Sequence, residues 1–204
     1  MDEYLYHFTS FDKFINGISE SKSIRLSSIL NVNDPLDYKE RTFRNKQLFK
    51  QGEAIKSISK RNEYIKTLKT KWIDNCKIAC FSTSNSQSGI EGFQLANLWS
   101  YYAENHSGVC IAFDKKKVLS YFDENFSHLY PLRNIVEYKN KLDYFRYNTE
   151  YNQNEYKGIK DNKSTLFFEK LKAWDREQEY RLICFSKNKF EYIPVKFHKV
   201  VNGS

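Results

Sequence analysis

Glycine and proline are scarce: seven Gly and three Pro in 204 residues. That composition leaves no flexible or Pro-rich linker, and a single domain over residues 1–204 is expected. No apolar run nears the ~20 residues of a membrane-spanning helix. The opening MDEYLYHFTS lacks the basic-then-apolar layout of a secretory leader, so a cytoplasmic protein with no membrane partner is expected. Cysteine is also sparse. Cys76 and Cys80 are four apart and Cys110 and Cys184 are isolated, without the paired spacing of a zinc site. Three of them sit in the apolar runs IACF, GVCIAF and RLICF, which points to buried free thiols. His106, before Ser107-Gly108, is placed to end a helix and meet its dipole, His128 and His198 have no convincing partners, and no metal is expected. G-x-G-x-x-G, a Walker-type lysine loop and H-E-x-x-H are all missing.

What is present is 40% hydrophobic and 17% aromatic residues, enough for a substantial core. The net charge of +8 is localised: Lys39 to Lys71 holds eleven Lys/Arg against three Glu, and the remaining 22 basic and 22 acidic residues cancel. Such a segment is either a solvated helix face or a footprint for nucleic acid.

Periodicity gives a coarse element map. Tyr4 to Thr9 reads as a strand. Phe11, Phe14, Ile15 and Ile18 then follow helical spacing behind Ser10 as N-cap. Ser23 to Ser28 is a second strand, and NVNDPLD (Asn31 to Asp37) is a turn cluster. Lys39 to Ile73 reads as a basic helical insertion broken near Gly52. Lys77 to Ser82 is a central strand followed by the polar loop Thr83 to Gly92. A helix over Gln94 to Asn105, a strand over Ser107 to Asp114 and a helix capped by Asp114 come next. Asn134 to Tyr138 is a strand, Lys139 to Asn162 shows no clear period, and Ser164 to Ala173 is helical. Tyr180 to Phe185, Phe190 to Val195 and Phe197 to Val201 are closing strands. Without strict βαβ alternation, the class is α+β.

The stretch KAWDREQEYRLICFS concentrates chemistry. Strand alternation puts Glu177, Glu179 and Arg181 on one face with Ile183 and Phe185. Carboxylates beside an apolar floor can act as a general base or stabilise a developing cation. The alternative is a plain Glu179–Arg181 salt bridge at a strand end. His7, beside Thr9, is either a structural strand histidine or a ligand-binding one. Ser82 and Ser84 at the FSTS strand end can bond a ribose or phosphate, or simply cap the strand. Trp99, Tyr101 and Tyr102 fit core helix packing, which is the better reading for Trp99.

YHFTS, NDP, CFS, LWSYYAENHSGVCIAFD and KAWDREQEYRLI, in that order, resemble a large bacterial family known only as a domain of unknown function, number 2971. The resemblance runs from about Tyr6 to Ile183. A looser one is carried by LYHFTSFDKFINGI, which looks like the opening of the DNA-targeting (DarT-like) ADP-ribosyltransferase toxins. That resemblance implies an ADP-ribosyltransferase-like split, mixed or antiparallel sheet with peripheral helices and a helical insertion. It implies NAD as substrate, with His7 and Asn16 holding NAD. It also implies a diphosphate arginine at Arg41, with Arg44 as second choice in YKERTF, and a catalytic glutamate at Glu179, with Glu177 second. The STS and EQE pairs also echo the wider transferase pattern, in which they line the NAD cleft. The chain departs from both by carrying a strand histidine and an E-x-E pair together.

The expected function is thus an NAD-consuming ADP-ribosyltransferase-like enzyme, a toxin or phage-defence effector acting on nucleic acid or protein. Catalysis would fall to Glu179 and Glu177. NAD would be held by His7, Thr9, Asn16, Arg41, Ser82, Ser84 and Tyr102. Partners would be nucleic acid at Lys39–Lys71 and an antitoxin or regulatory protein. The rivals are a non-catalytic nucleic-acid-binding or nucleotide-sensing module and a hydrolase of NAD or another nucleotide.

Overall fold

The structure is a computed structural model that describes residues 3–32, 54–84, 89–143 and 145–203, with side chains from 58 onward in the second stretch. Arg41, Arg44, the Asn31–Asp37 turn beyond Val32 and the first part of the basic segment lie outside the described residues.

Strand β1 (Tyr4–Thr9) ends at Ser10, whose hydroxyl accepts from the Lys13 amide at 3.2 Å and starts helix α1 (Phe11–Lys13). This helix widens into a π-type stretch at Phe14–Ser19. Phe14 and Ile18 pack on the core, whereas Phe11 and Ile15 stay exposed. Strand β2 (Ser23–Ser28) follows. Helix α2 (Ala54–Thr67) continues through a π-type turn at Leu68–Ile73 into β3 (Cys76–Ser82). Helix α3 (Ala96–Tyr102) is shorter than its apolar spacing suggests, because Glu104, Asn105 and His106 all take positive φ and end it. Strand β4 (Val109–Asp114) leads into α4 (Lys115–Asn125), whose first turn is capped by the Asp114 carboxylate on the Lys117 amide.

Three expectations differ from the fold beyond this point. The single strand expected at Asn134–Tyr138 is two, β5 (Leu132–Ile135) and β6 (Glu137–Lys139), with different partners. The segment without clear period contains α5 (Glu155–Asp161). The helix expected over Ser164–Ala173 is only α6 (Lys163–Phe167), followed by β7 (Glu169–Leu171) and a 3-10 turn at Lys172–Glu177. Tertiary pairing overrides helix propensity here. Glu169 is buried against Lys139 and the Asp143 amide, and Lys170 is buried against two glutamates. Strands β8 (Glu179–Phe185), β9 (Glu191–Pro194) and β10 (Phe197–Asn202) close the chain.

The fold is mixed α+β with a mostly antiparallel sheet. Eight strands join in one sheet, β10-β4-β1-β3-β2-β9, with β8 on β3 and β5 on β8; β6 and β7 form a separate parallel pair. Strand β8 pairs with β3 along its whole length, from Cys76↔Phe185 to Ser82↔Glu179. The other edge of β3 is shared: β1 meets it at Ser82 (Tyr6↔Ser82), and β2 meets it at Lys77 and Ile78. Among the described residues Ala79 to Phe81 have no strand partner on that edge. The sheet therefore forks, with β1·β4·β10 on one arm and β2·β9 on the other.

Three apolar clusters fix where that fork opens. One face of the sheet (Leu5, Leu26, Phe81, Ile111, Leu182) packs on Val118 and Phe122 of α4. The other face carries two separate clusters. Tyr6, Phe8 and Cys110 lie under Leu98 and Trp99 of α3. Cys76, Ile78 and Ile183 lie under Tyr64, Leu68 and Trp72. The fork falls between these two clusters. Among the described residues no helix is long and apolar enough to cross a membrane.

Candidate active site

A cavity of about 270 Å³ occupies the fork. One wall is Tyr6, His7 and Phe8 of β1; the opposite wall is Arg25 and Ser27 of β2. The stretch Ile78 to Ser82 of β3, buried except for half-buried Cys80, forms its floor. Leu98 and Tyr102 of α3 close one end, together with Lys170, Glu177 and Glu179.

The acidic end is built by a backbone device. Gln178, at φ +48°, is a left-handed non-glycine residue between Glu177 and Glu179, a conformation costing roughly 1–2 kcal/mol. The end of β3 holds it there: the Gln178 carbonyl accepts from the Thr83 amide at 2.9 Å and the Thr83 hydroxyl at 3.0 Å. Its own amide side chain donates to the Asp175 carbonyl at 2.6 Å. Glu177 thus ends a 3-10 turn, not a strand, and reaches the site through this reversal.

Four charged side chains are buried together, each at most 5% exposed. Arg181 donates from Nε to Glu179 Oε1 at 2.8 Å, from Nη2 to Glu179 Oε2 at 3.0 Å, and from Nη1 to the Phe167 carbonyl at 2.7 Å. Lys170 Nζ lies 2.7 Å from Glu177 Oε2 and 2.9 Å from Glu179 Oε2. Two anions and two cations cancel, the condition for tolerating charge in a low-dielectric site. Burial pushes the Glu179 carboxyl up, but Arg181 and then Lys170 outweigh it and its pKa falls to about 2. The Tyr102 hydroxyl donates to Glu177 Oε1 at 2.7 Å, and burial, then the Glu177 charge, keep that phenol protonated. Cys80, whose pKa is raised first by burial and then by Glu179, stays a thiol hydrogen-bonded to that carboxylate.

An ionised carboxylate offers about four lone-pair positions. Glu179 receives two bonds from Arg181, one from Lys170 and one from Cys80. Glu177 receives one from Tyr102 and one from Lys170. Of the two, Glu177 retains the greater capacity to accept from a bound hydroxyl.

His7 sits where β1 leaves β3. Its Nδ1 lies 3.2 Å from the Cys80 carbonyl, which can only accept, so Nδ1 carries the proton and Nε2 is the acceptor. Its pKa is lowered, mainly by burial, which holds the ring neutral.

The expected residues divide. His7, Ser82, Tyr102, Glu177 and Glu179 all line this one cavity. Thr9 is buried in β1 opposite Val109, outside the lining. Asn16 is exposed and donates to Asp12 Oδ1 at 2.7 Å. Ser84 accepts from the Gly92 amide at 3.2 Å and lies 3.5 Å from the Tyr6 hydroxyl, a capping role. Trp99 is core: its indole donates to the Phe93 carbonyl at 2.7 Å and its ring meets Phe8 edge-on. All four cysteines are free thiols.

Sequence reasoning missed Arg25 and Lys170. Arg25 is exposed on the β2 wall, its guanidinium 4.4 Å over the Phe190 ring. It sits in SIRLSS, where alternation with buried Ile24 and Leu26 already marks it as outward-facing. Lys170 had no such signal, because its segment reads as helix.

A family described as "Protein of unknown function (DUF2971)" matches residues 98–182. The match includes Tyr102, Lys170, Glu177, Glu179 and Arg181; His7, Arg25 and Ser82 precede it. No curated protein and no solved structure matches the chain.

Proposed function

We propose that the chain is an NAD-consuming, ADP-ribosyltransferase-like enzyme whose donor site is the fork cavity. The observation that carries this reading is the placement of His7 and the Glu177–Glu179 pair on the same cavity, at the point where the sheet splits. The resemblance to DarT-like toxins, which pair a strand histidine with a late strand-start glutamate, supports it.

Residue roles follow from available donors and acceptors. His7 Nε2 accepts from a ribose hydroxyl. Glu177, with room left on its carboxylate, accepts from a second ribose hydroxyl and stabilises the positive charge that grows on the ribose as the nicotinamide bond breaks. Glu179 is the positioning residue: it pairs with Arg181 and holds Lys170, which in turn orients Glu177. Arg25 takes the diphosphate at the cavity mouth, the part expected of Arg41 from the sequence. A cavity of about 270 Å³ is at the small end of ligand pockets, ~300–1,000 Å³. It suits the nicotinamide riboside half, with the rest of NAD lying out along β2.

The reaction balances as NAD plus an acceptor X–H giving ADP-ribosyl-X, nicotinamide and a proton. Nicotinamide leaves with the C–N bonding pair, and the acceptor lone pair forms the new bond to the ribose carbon. The test is purified protein with NAD, followed by chromatography for nicotinamide and by calorimetry. Nicotinamide release lost in Glu177→Gln, with NAD binding kept, supports the reading. Release without a labelled acceptor makes the enzyme a hydrolase. No release together with no NAD binding overturns it.

A further inference from the structure

The outer strands β9 and β10 stand at opposite ends of the strand order, yet only Val195 and Lys196 connect them. The three steps from Pro194 to Phe197 reach about 11 Å at most, so the sheet curls until its two ends meet beside α4. A cavity of about 730 Å³ opens at that join. Its floor is apolar: Val118 and Val195 are buried in the core cluster under α4, and Tyr121 and Phe197 pack half-buried against it. Its rim carries Lys22, Lys117 and Lys196, all exposed, against one carboxylate, Asp114. None of these residues lines the fork cavity. Two backbone irregularities converge here. Lys22 takes φ +50°, a left-handed state that L side chains resist. The Val195 amide holds it by donating to the Lys22 carbonyl at 2.8 Å, and Lys22 Nζ lies 5.0 Å over the Phe197 ring. The register of β10 on β4 slips between Phe197 and Lys199, the kind of bulge that re-aims a side chain. Asp114 is committed to the cap of α4: one oxygen accepts from the Lys117 amide at 3.0 Å, and the other lies 3.5 Å from Lys117 Nζ. Among the described residues no hydrogen bond or ion pair holds the side chain of Lys22 or Lys196. Three cations against one anion leave the rim with two positive charges in excess.

We propose that this cavity binds a medium-length aliphatic chain with an anionic head, the head among the lysines and the chain along the floor. A concave, mostly apolar lining with a few polar groups is the usual form of a small-molecule site, and its volume falls in the ordinary range of ~300–1,000 Å³. Burial of the chain supplies the affinity, and the excess positive charge selects the head. Lysines are point charges without the planar fork of arginine, so a carboxylate and a phosphate head serve equally. A flat aromatic ligand has less to gain, because the Lys22 ammonium already covers the Phe197 ring; a flexible chain needs no free ring face. The site is independent of the donor-site reading above.

The test is calorimetry of the full chain, without NAD, titrated with decanoate below its micelle point. Decyl phosphate, octanoate, decanol and decyltrimethylammonium are the comparison ligands. Decanoate and decyl phosphate should bind alike. Octanoate should bind about tenfold more weakly or worse, the worth of two buried methylenes, and decanol and the cationic analogue should both fall below decanoate. Lys22→Gln with Lys196→Gln should weaken decanoate about fivefold, as two exposed charge contacts allow, and leave decanol unchanged. Tyr121→Asp, which puts a carboxylate on the floor, should weaken decanoate about tenfold or more. The two lysines are exposed, so an unchanged melting temperature checks folding of the double variant, and that variant decides the matter if Tyr121→Asp does not fold. Equal binding of decanol or the cationic analogue, no dependence on chain length, indifference to the double variant, or no binding at all overturns the proposal. So does capture by phosphatidylglycerol vesicles without affinity for decanoate, which would assign the lysines to a lipid surface.

Discussion

Arg181 grips both oxygens of Glu179, with Nε at 2.8 Å and Nη2 at 3.0 Å, at a position where the guanidinium has no exposed surface at all. The pair is a two-residue step along β8, so strand alternation alone puts the two side chains on one face. Burial is what makes the contact consequential. Removing either partner leaves the other charge in a low-dielectric site.

The first prediction concerns that pair. Arg181→Ala should cost about 3–5 kcal/mol of stability, the usual penalty for an orphaned buried charge. Replacing both partners with apolar residues should recover much of it. Urea midpoints for the two single variants and the double variant check the coupling.

The two glutamates should separate when activity and stability are measured together. Glu177→Gln should cut nicotinamide release by about a hundredfold with a modest loss of melting temperature, because Tyr102 and Lys170 bond different oxygens of the carboxylate and the amide keeps only one of them. Glu179→Gln should lower the melting temperature more, because it leaves Arg181 and Lys170 facing a neutral group. A silent Glu177→Gln beside a stable but inactive Glu179→Gln would reverse the roles given above.

Acid should destabilise the fold through Glu179. Its pKa is about 2 in the folded chain against an ordinary value of 4.5. A depressed carboxylate stabilises above its unfolded pKa, and that contribution is lost as pH falls from about 4.5 toward 2. The loss is about 3 kcal/mol at the low end. Glu179→Gln should flatten this part of a stability–pH curve measured by denaturant titration.

His7 should keep NAD affinity flat through its ordinary titration range. Burial, as the leading cause, lowers its pKa from 6.5. The ring therefore stays neutral in the folded protein as pH falls past 6.5, and Nε2 can accept until the lower folded value is reached. Calorimetric NAD affinity should be unchanged from pH 8 through 6.5 and should fall only where the lowered folded value is reached. His7→Ala should weaken binding about tenfold, the worth of one hydrogen bond in a partly buried site.

Arg25→Ala should raise the KM for NAD about tenfold or more, with Arg25→Lys partly restoring it, because a charge-assisted contact to phosphate is worth about 1.5–3 kcal/mol. Exposure of Arg25 means the melting temperature should not move.

The sequence by itself determined the local pieces. Alternation gave β1, β3 and β8, Ser10 and Asp114 acted as caps where their residue types said they should, and Glu179 and Arg181 share a face. These depend on neighbours within a few residues, where pattern and backbone geometry are tightly linked. Only the tertiary structure decided that β1 and β2 diverge from one edge of β3, that Gln178 turns Glu177 back toward Glu179, and that Lys170 leaves an expected helix to sit between them. The first two are set by partners distant in sequence: Thr83 holds Gln178 across 95 residues, and His7 meets Cys80 across 73. Local propensity carries no record of such partners. The ion pairs of buried Lys170 override it because an unpaired charge there would cost more than a turn of helix.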